Sequence, residues 1–251
     1  MATASAFGDA VARVRENPQM DVGCHLVLIG GKSVTPADEI PSLVNKIGDL
    51  PRTLFELVGR LSSGLIQSED IEREFRSQVE RVIEAGITPS HLDSHKHTHA
   101  HPIVMEAMFR VAREFGIKRV RKPFEDSQIA SKVPEASGAL TQRFLVSVAG
   151  MAAPAFRRGL KSYGLRAPEH FFGVTLTGHM CPAALRRLIE QLPQGTSEIM
   201  CHPGICDAEL EGSSTRLKQH RQVELDALLN AEVGAAIEAS GVQLIPYRDL
   251  N

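Results

Sequence analysis

His91-Leu92-Asp93-Ser94-His95-Lys96-His97-Thr98-His99-Ala100-His101-Pro102 gathers five of the chain's ten histidines into eleven residues. Its first residues read as the entry of a short strand. Pro102 is placed to open a helix with the apolar face Ile103, Met105, Met108, Val111 and Phe115, closed by Gly116. A strand that runs through polar side chains into a helix puts those side chains near the strand's C-terminal end, where open α/β sheets carry their sites. If the segment stays extended, Asp93, His95, His97 and His99 share one face. A bend toward Pro102 would instead fan them around a pocket. In either arrangement, converging neutral imidazoles suit a divalent transition metal such as zinc. The competing reading is a solvated polar loop whose histidines do nothing together.

Outward from this unit, apolar residues alternate between a period near two and a period near 3.6. Ile71, Phe75, Val79, Val82 and Ile83 recur at helical spacing, with Glu69 and Asp70 at the positive N-terminal end and Gly86 past the C-terminus. Upstream, Ala10, Val11 and Val14 give a short helical face, and residues 19–28 read as a strand running into the Gly30-Gly31 turn. Residues 31–66 look like an elaborated loop with one helix around 54–61, and such insertions often carry substrate contacts. Downstream, strands are expected at 118–121, 171–176, 197–201 and 242–246, separated by helices at about 142–163, 183–192 and 222–239. This order predicts an α/β chain, with a mostly parallel sheet or an incomplete barrel, as a single domain over 1–251.

Composition narrows the function. The 251 residues are 43% hydrophobic, which excludes disorder for the bulk of the chain. With 28 Lys+Arg against 30 Asp+Glu the net charge is −2, and no long run of one sign gives a footprint for nucleic acid or an anionic membrane. No stretch approaches the roughly 20 apolar residues of a membrane span, and the N-terminus lacks the features of a signal peptide, so a cytoplasmic setting and a small-molecule partner are expected. Cys24, Cys181, Cys201 and Cys206 form no CxxC pair and read as reduced thiols. The absence of a GxSxG elbow, a P-loop and a GxGxxG motif removes most nucleophilic-serine and nucleotide-binding classes.

Two more histidines share a context. Cys24-His25 and Cys201-His202 each end an expected strand, so each Cys can face the core while its His faces the strand-end cavity. Either alone is more often a hydrogen-bonded structural residue; together with His95 they would converge on one carboxyl edge. Arg121 could clamp a polar substrate or lie on the surface. His179, after Gly178, could line a site or sit in a turn.

These residues resemble the YdjC-like carbohydrate deacetylases, a family that includes the chitooligosaccharide deacetylases and the hopanoid-biosynthesis-associated deacetylases. The resemblance rests on Asp21-Val22-Gly23-Cys24-His25-Leu26-Val27-Leu28, on His91 through His99, on Arg119-Val120-Arg121, on Glu198-Ile199-Met200-Cys201-His202-Pro203 and on Tyr247-Arg248-Asp249. His170-Phe171-Phe172-Gly173 with Leu192-Pro193-Gln194-Gly195 looks most like the hopanoid-associated branch. The resemblance implies a deformed (β/α) barrel of the polysaccharide-deacetylase type and metal-assisted removal of an acetyl group from an N-acetylated sugar. By motif position it makes His25 and His95 ligands of a divalent ion, magnesium or zinc, and His202 the acid that protonates the leaving amine. Arg121, His97 and His99 are then candidate substrate contacts, Asp93 is a candidate partner orienting a ligand imidazole, and a homodimer is a further expectation.

The family's remaining ligand and its base are adjacent aspartates in an Asp-Asp-Phe-Gly motif, and these 251 residues contain no such motif. Met1 to Phe7 resembles the family's second strand, so the expectation is a chain lacking the first βα unit, about 30 residues. Without the aspartates, Asp93, His97 or His99 would have to substitute as ligands, and full activity of this chain is not expected. Two alternatives compete: a metal-dependent amidohydrolase or phosphoesterase, and a metal-binding remnant that has lost catalysis.

Overall fold

Apolar side chains at helical spacing, with breakers at their ends, give most of the helices their bounds. The computed structural model describes residues 1–135, 149–213 and 215–251. In chain order it contains α1 (Phe7–Glu16), β1 (Cys24–Leu26), α2 (Leu54–Ser62), α3 (Ser68–Glu84), β2 (Leu92–Ser94), a 3-10 turn (His95–Ala100), α4 (Pro102–Glu114), α5 (Ser127–Ala130), α6 (Ala153–Tyr163), β3 (His170–Phe172), α7 (Pro182–Ile189), β4 (Ser197–Ile199), α8 (Ala208–Gly212), α9 (Gln219–Leu228) and α10 (Ala231–Ala239). By the contacts between its residues the chain divides into two compact units. The first comprises Met1–Pro123, Met151–Ala167 and Pro246–Asn251; the second comprises Phe124–Gly150 and Pro168–Ile245.

In the first unit, α3 buries Ile71, Phe75, Val79 and Val82 and packs against β1 and α4. Acidic Glu69 and Asp70 lie in its first turn, where the helix dipole favours them. Thr53 caps α2 by accepting the Glu56 N–H, and Pro102 opens α4, which buries Val104, Met108 and Val111. β1 and β2 pair in parallel with His25 opposite Asp93, and single bridges extend the pairing from Leu92 to Val120 and from Arg119 to Arg166. In the second unit, β3 and β4 pair in parallel, and Phe172, Leu176, Leu185, Leu188 and Val233 form the core.

The α/β class and the parallel pairing follow the sequence expectation; the details differ. Among the described residues the named strands pair in parallel as β1 with β2 in the first unit and β3 with β4 in the second. The strand expected over 19–28 is confined to Cys24–Leu26, because the next residue's backbone is taken by a side chain. Gln78 on α3 accepts the Val27 N–H and donates to the Val27 carbonyl, both at 2.8 Å. Residues before Phe7 form turns leading into α1 instead of a strand. The strand expected over 171–176 stops at Phe172, since Gly173 takes a φ of +109° and Glu125 accepts the N–H groups of Gly173 and Thr175.

The helix expected over 222–239 breaks at Asn230, whose side chain caps α10 through the Glu232 N–H at 2.9 Å. Residues 242–246 form no strand, and Leu244 is 75% exposed. Of the helix expected over 142–163, residues 142–148 lie outside the described residues.

Candidate functional site

The parallel register of β1 and β2 creates the first polar cluster. Cys24, His25 and Leu26 alternate, so Cys24 and Leu26 go into the core while the His25 ring stays one-third exposed. Burial pushes the Cys24 thiol up to about 12, so it is no nucleophile. Directly across, the buried Asp93 accepts a hydrogen bond from His25 Nδ1 at 2.8 Å and an ion pair from Arg121. Burial alone would raise the Asp93 carboxyl; the His25 hydrogen bond and the Arg121 charge outweigh it and hold the group well below the usual carboxylate range. With Nδ1–H committed to Asp93, His25 presents the lone pair of Nε2 on its open side.

β2 ends at Ser94 because the chain turns there. Lys96 and His97 adopt φ of 53° and 52°, a left-handed conformation that non-glycine residues hold only when their surroundings enforce it. What enforces it is a hydroxyl hub. The Ser94 hydroxyl oxygen accepts the Thr98 hydroxyl at 2.9 Å and the His99 backbone N–H at 3.0 Å. Its own proton goes to His99 Nδ1 at 2.6 Å, which leaves His99 Nε2 as the donor to the Arg121 carbonyl at 3.1 Å. His99 is wholly buried, and burial pushes it down to about 4.

The turn therefore separates the histidines that an extended strand would align. His95 is swung toward His25, their ring centres 5.7 Å apart and edge-on. His99 returns into the framework with both ring nitrogens used, so the expected substrate contact there is replaced by a structural role. His97 is pushed down to about 3 by burial, with the neighbouring His99 and Arg121 adding to the effect. His101 caps α4 by accepting the Ile103 N–H. His91 stacks on Tyr247 at 3.7 Å, in space that exists because residue 23 is glycine. Arg121, expected to reach substrate, points its guanidinium at Asp93. Asp93 orients His25, its neighbour across the strands, rather than His95, its neighbour in sequence.

Two imidazoles on one divalent ion, with metal–nitrogen bonds of about 2.0–2.1 Å, have their ring centres roughly 5–6 Å apart. The His25–His95 spacing fits that. Among the described residues, however, no group of three or more His, Cys, Asp or Glu side chains is arranged to hold a metal. Asp93 and His99 are engaged elsewhere and do not fill the gap. Among the described residues, His25 and His95 are thus two imidazoles at the spacing a shared ion would require, without a third such side chain beside them.

His202 lies in the second unit, just past β4. Its backbone N–H is accepted by Glu224 on α9, and the same oxygen is 3.9 Å from His202 Nδ1. Glu224 is 1% exposed and also accepts the Gly178 N–H at 3.0 Å. Nothing in the sequence around Glu224 marks it, since a Glu on a helix is normally solvated. His179 sits after Gly178 with its ring centre 6.4 Å from that of His220.

A family model described as YdjC-like protein matches residues 1–239. The chain belongs to the YdjC-like family. This YdjC-like chain is similar to a carbohydrate deacetylase of Geobacillus stearothermophilus, at 32% identity over 99% of the chain and 84% of that relative. It is also similar to a chitooligosaccharide deacetylase of Serratia marcescens, at 29% identity over 96% of the chain and 82% of the relative. Among solved structures, a candidate cellobiose-phosphate cleavage protein of Enterococcus faecalis V583 superposes with a TM-score of 0.76 at 21% identity, covering 100% of the chain and 85% of that structure. This last likeness establishes a shared fold. No helix among the described residues is long and apolar enough to cross a membrane.

Proposed function

We propose that this YdjC-like chain is a hydrolase that removes an acetyl group from an N-acetylated sugar of the chitooligosaccharide type. The observation that carries the reading is the His25–Asp93–His95 constellation, a carboxylate-oriented imidazole facing a second imidazole, in a chain whose relatives are named carbohydrate deacetylases. His25 Nε2 and His95 would hold a divalent ion, magnesium or zinc. When bound, such an ion polarises an amide carbonyl and acidifies a water molecule.

The chain's own residues do the rest. Asp93 fixes the tautomer and the ring plane of His25, and Arg121 keeps Asp93 anionic. The hub at Ser94 locks the turn that aims His95. His202 is the proposed proton donor to the leaving amine, since an imidazole titrates near neutral pH.

Acetate release from N-acetylglucosamine oligomers, measured with zinc or magnesium added, tests the reading. Release that is abolished in His25→Ala and His202→Ala supports it. Phosphate release from a phosphomonoester in place of acetate release would reassign the site to a phosphoesterase. Metal binding without turnover on any acetylated sugar would make the chain a non-catalytic remnant.

A further inference from the structure

Within the second unit, one buried carboxylate ties together three segments that are far apart in sequence. Glu224 on α9 accepts the Gly178 N–H through one oxygen and the His202 N–H through the other. Among the described residues, neither Lys nor Arg pairs with it, and the only ion-pair partner in reach is the His202 ring, whose Nδ1 is 3.9 Å from the second oxygen. The same helix also holds the loop after His202 through Arg221. Arg221 Nη1 donates to the His202 carbonyl at 3.5 Å, and the Arg221 carbonyl accepts the Gly204 N–H at 3.1 Å. A carboxylate this buried is costly to desolvate unless its oxygens are used, and two backbone amides plus a nearby imidazole use them.

We infer that Glu224 is the positioning residue of His202: it anchors the His202 peptide and sets its carboxylate against the Nδ1 side of the ring, leaving Nε2 for proton transfer. This rests on the proton-donor role proposed for His202. An anion 3.9 Å from Nδ1 favours the imidazolium, the form a proton donor must reach. The Arg221 guanidinium, directed at the His202 carbonyl, opposes that effect from the same helix. Removing the Glu224 charge therefore takes away the anion on the Nδ1 side and keeps the opposing Arg221 cation.

The test is an NMR titration of the His202 ring in the intact chain and in Glu224→Gln, run beside acetate-release kinetics. The expected result is a fall of about one pH unit in the His202 midpoint in Glu224→Gln. Where turnover is present, kcat falls at least tenfold with KM within about twofold, and the limb of the pH profile that belongs to the acid moves down with the titration. The NMR shift does not require activity, so a chain inactive on acetylated sugars still tests the pairing. A folded Glu224→Gln chain with an unmoved His202 midpoint overturns it. If Glu224→Gln fails to fold, Glu224→Asp keeps the charge but retracts it by one methylene. A smaller shift of the same sign is then expected, and no shift overturns the pairing.

Discussion

Replacing Asp93 with Asn removes the anion that links His25 to Arg121. The carboxylate is 7% exposed, lies 2.8 Å from His25 Nδ1 and is paired with a guanidinium that is itself 15% exposed. Breaking one side of so buried a pair costs about 3–5 kcal/mol. The Asn carbonyl can still accept the His25 proton, which puts the expected loss near the lower end, about 3 kcal/mol. With a urea dependence of roughly 3 kcal/mol per molar, the unfolding midpoint falls by about 1 M. The assay is a urea titration followed by circular dichroism at pH 7, on Asp93→Asn alone and in an Arg121→Met background. In that background the guanidinium is gone and the cost should drop to about 1 kcal/mol. The pH dependence has a fixed sign. The folded Asp93 carboxyl is held below its ordinary value near 3.9, so its contribution is complete above that pH and is lost as the pH falls through the folded value. The gap between parent and variant is therefore full at pH 7 and narrows only below about pH 4. A midpoint shift under about 0.2 M for the single variant would mean that the buried Asp93–Arg121 pair does not carry this stability.

Three further outcomes follow from the packing. Burial pushes His91 and His99 each down to about 4, so the unfolded chain takes up these protons near pH 6.5 while the folded chain does not; stability is whole above 6.5 and falls as the pH drops toward 4, each ring adding roughly 1.4 kcal/mol per pH unit. His91→Phe, which keeps the stack on Tyr247, should flatten urea midpoints measured across that window by one ring's share, and an unchanged slope would count against it. Gln78→Leu leaves both backbone groups of Val27 without their amide partner in the core, and a loss of about 2–4 kcal/mol is expected in the same titration. Gly173→Ala places a methyl 2.2 Å from the Met200 carbonyl oxygen at a φ of +109°, so it should yield little folded protein in a thermal melt; a near-parental midpoint would show that the β3–β4 contact is looser than described.

The sequence made the helices and the histidine segment legible because both are local. The apolar spacing of Ile71, Phe75, Val79 and Val82 reports a helix face whatever packs on it, and Pro102 marks a helix start by itself. What the histidines do was not legible, because it depends on a two-residue excursion into left-handed backbone at Lys96 and His97. That turn separates His95 from His99 and is held by the Ser94 hydroxyl, whose hydrogen bonds no residue spacing announces. The His25–Asp93 bond needed the register of β1 against β2, which no spacing within either strand reveals. Strand lengths were overestimated where side chains take over backbone hydrogen bonds, as Gln78 does at Val27 and Glu125 does at Gly173 and Thr175. Glu224 was invisible because its only mark is burial.

Whether His25 and His95 together bind a divalent ion is read by elemental analysis of the purified chain after equilibration with zinc, beside His25→Ala and His95→Ala. One metal per chain in the parent and none in either variant is the expected result. Equal metal content in all three, or none in any, would contradict it.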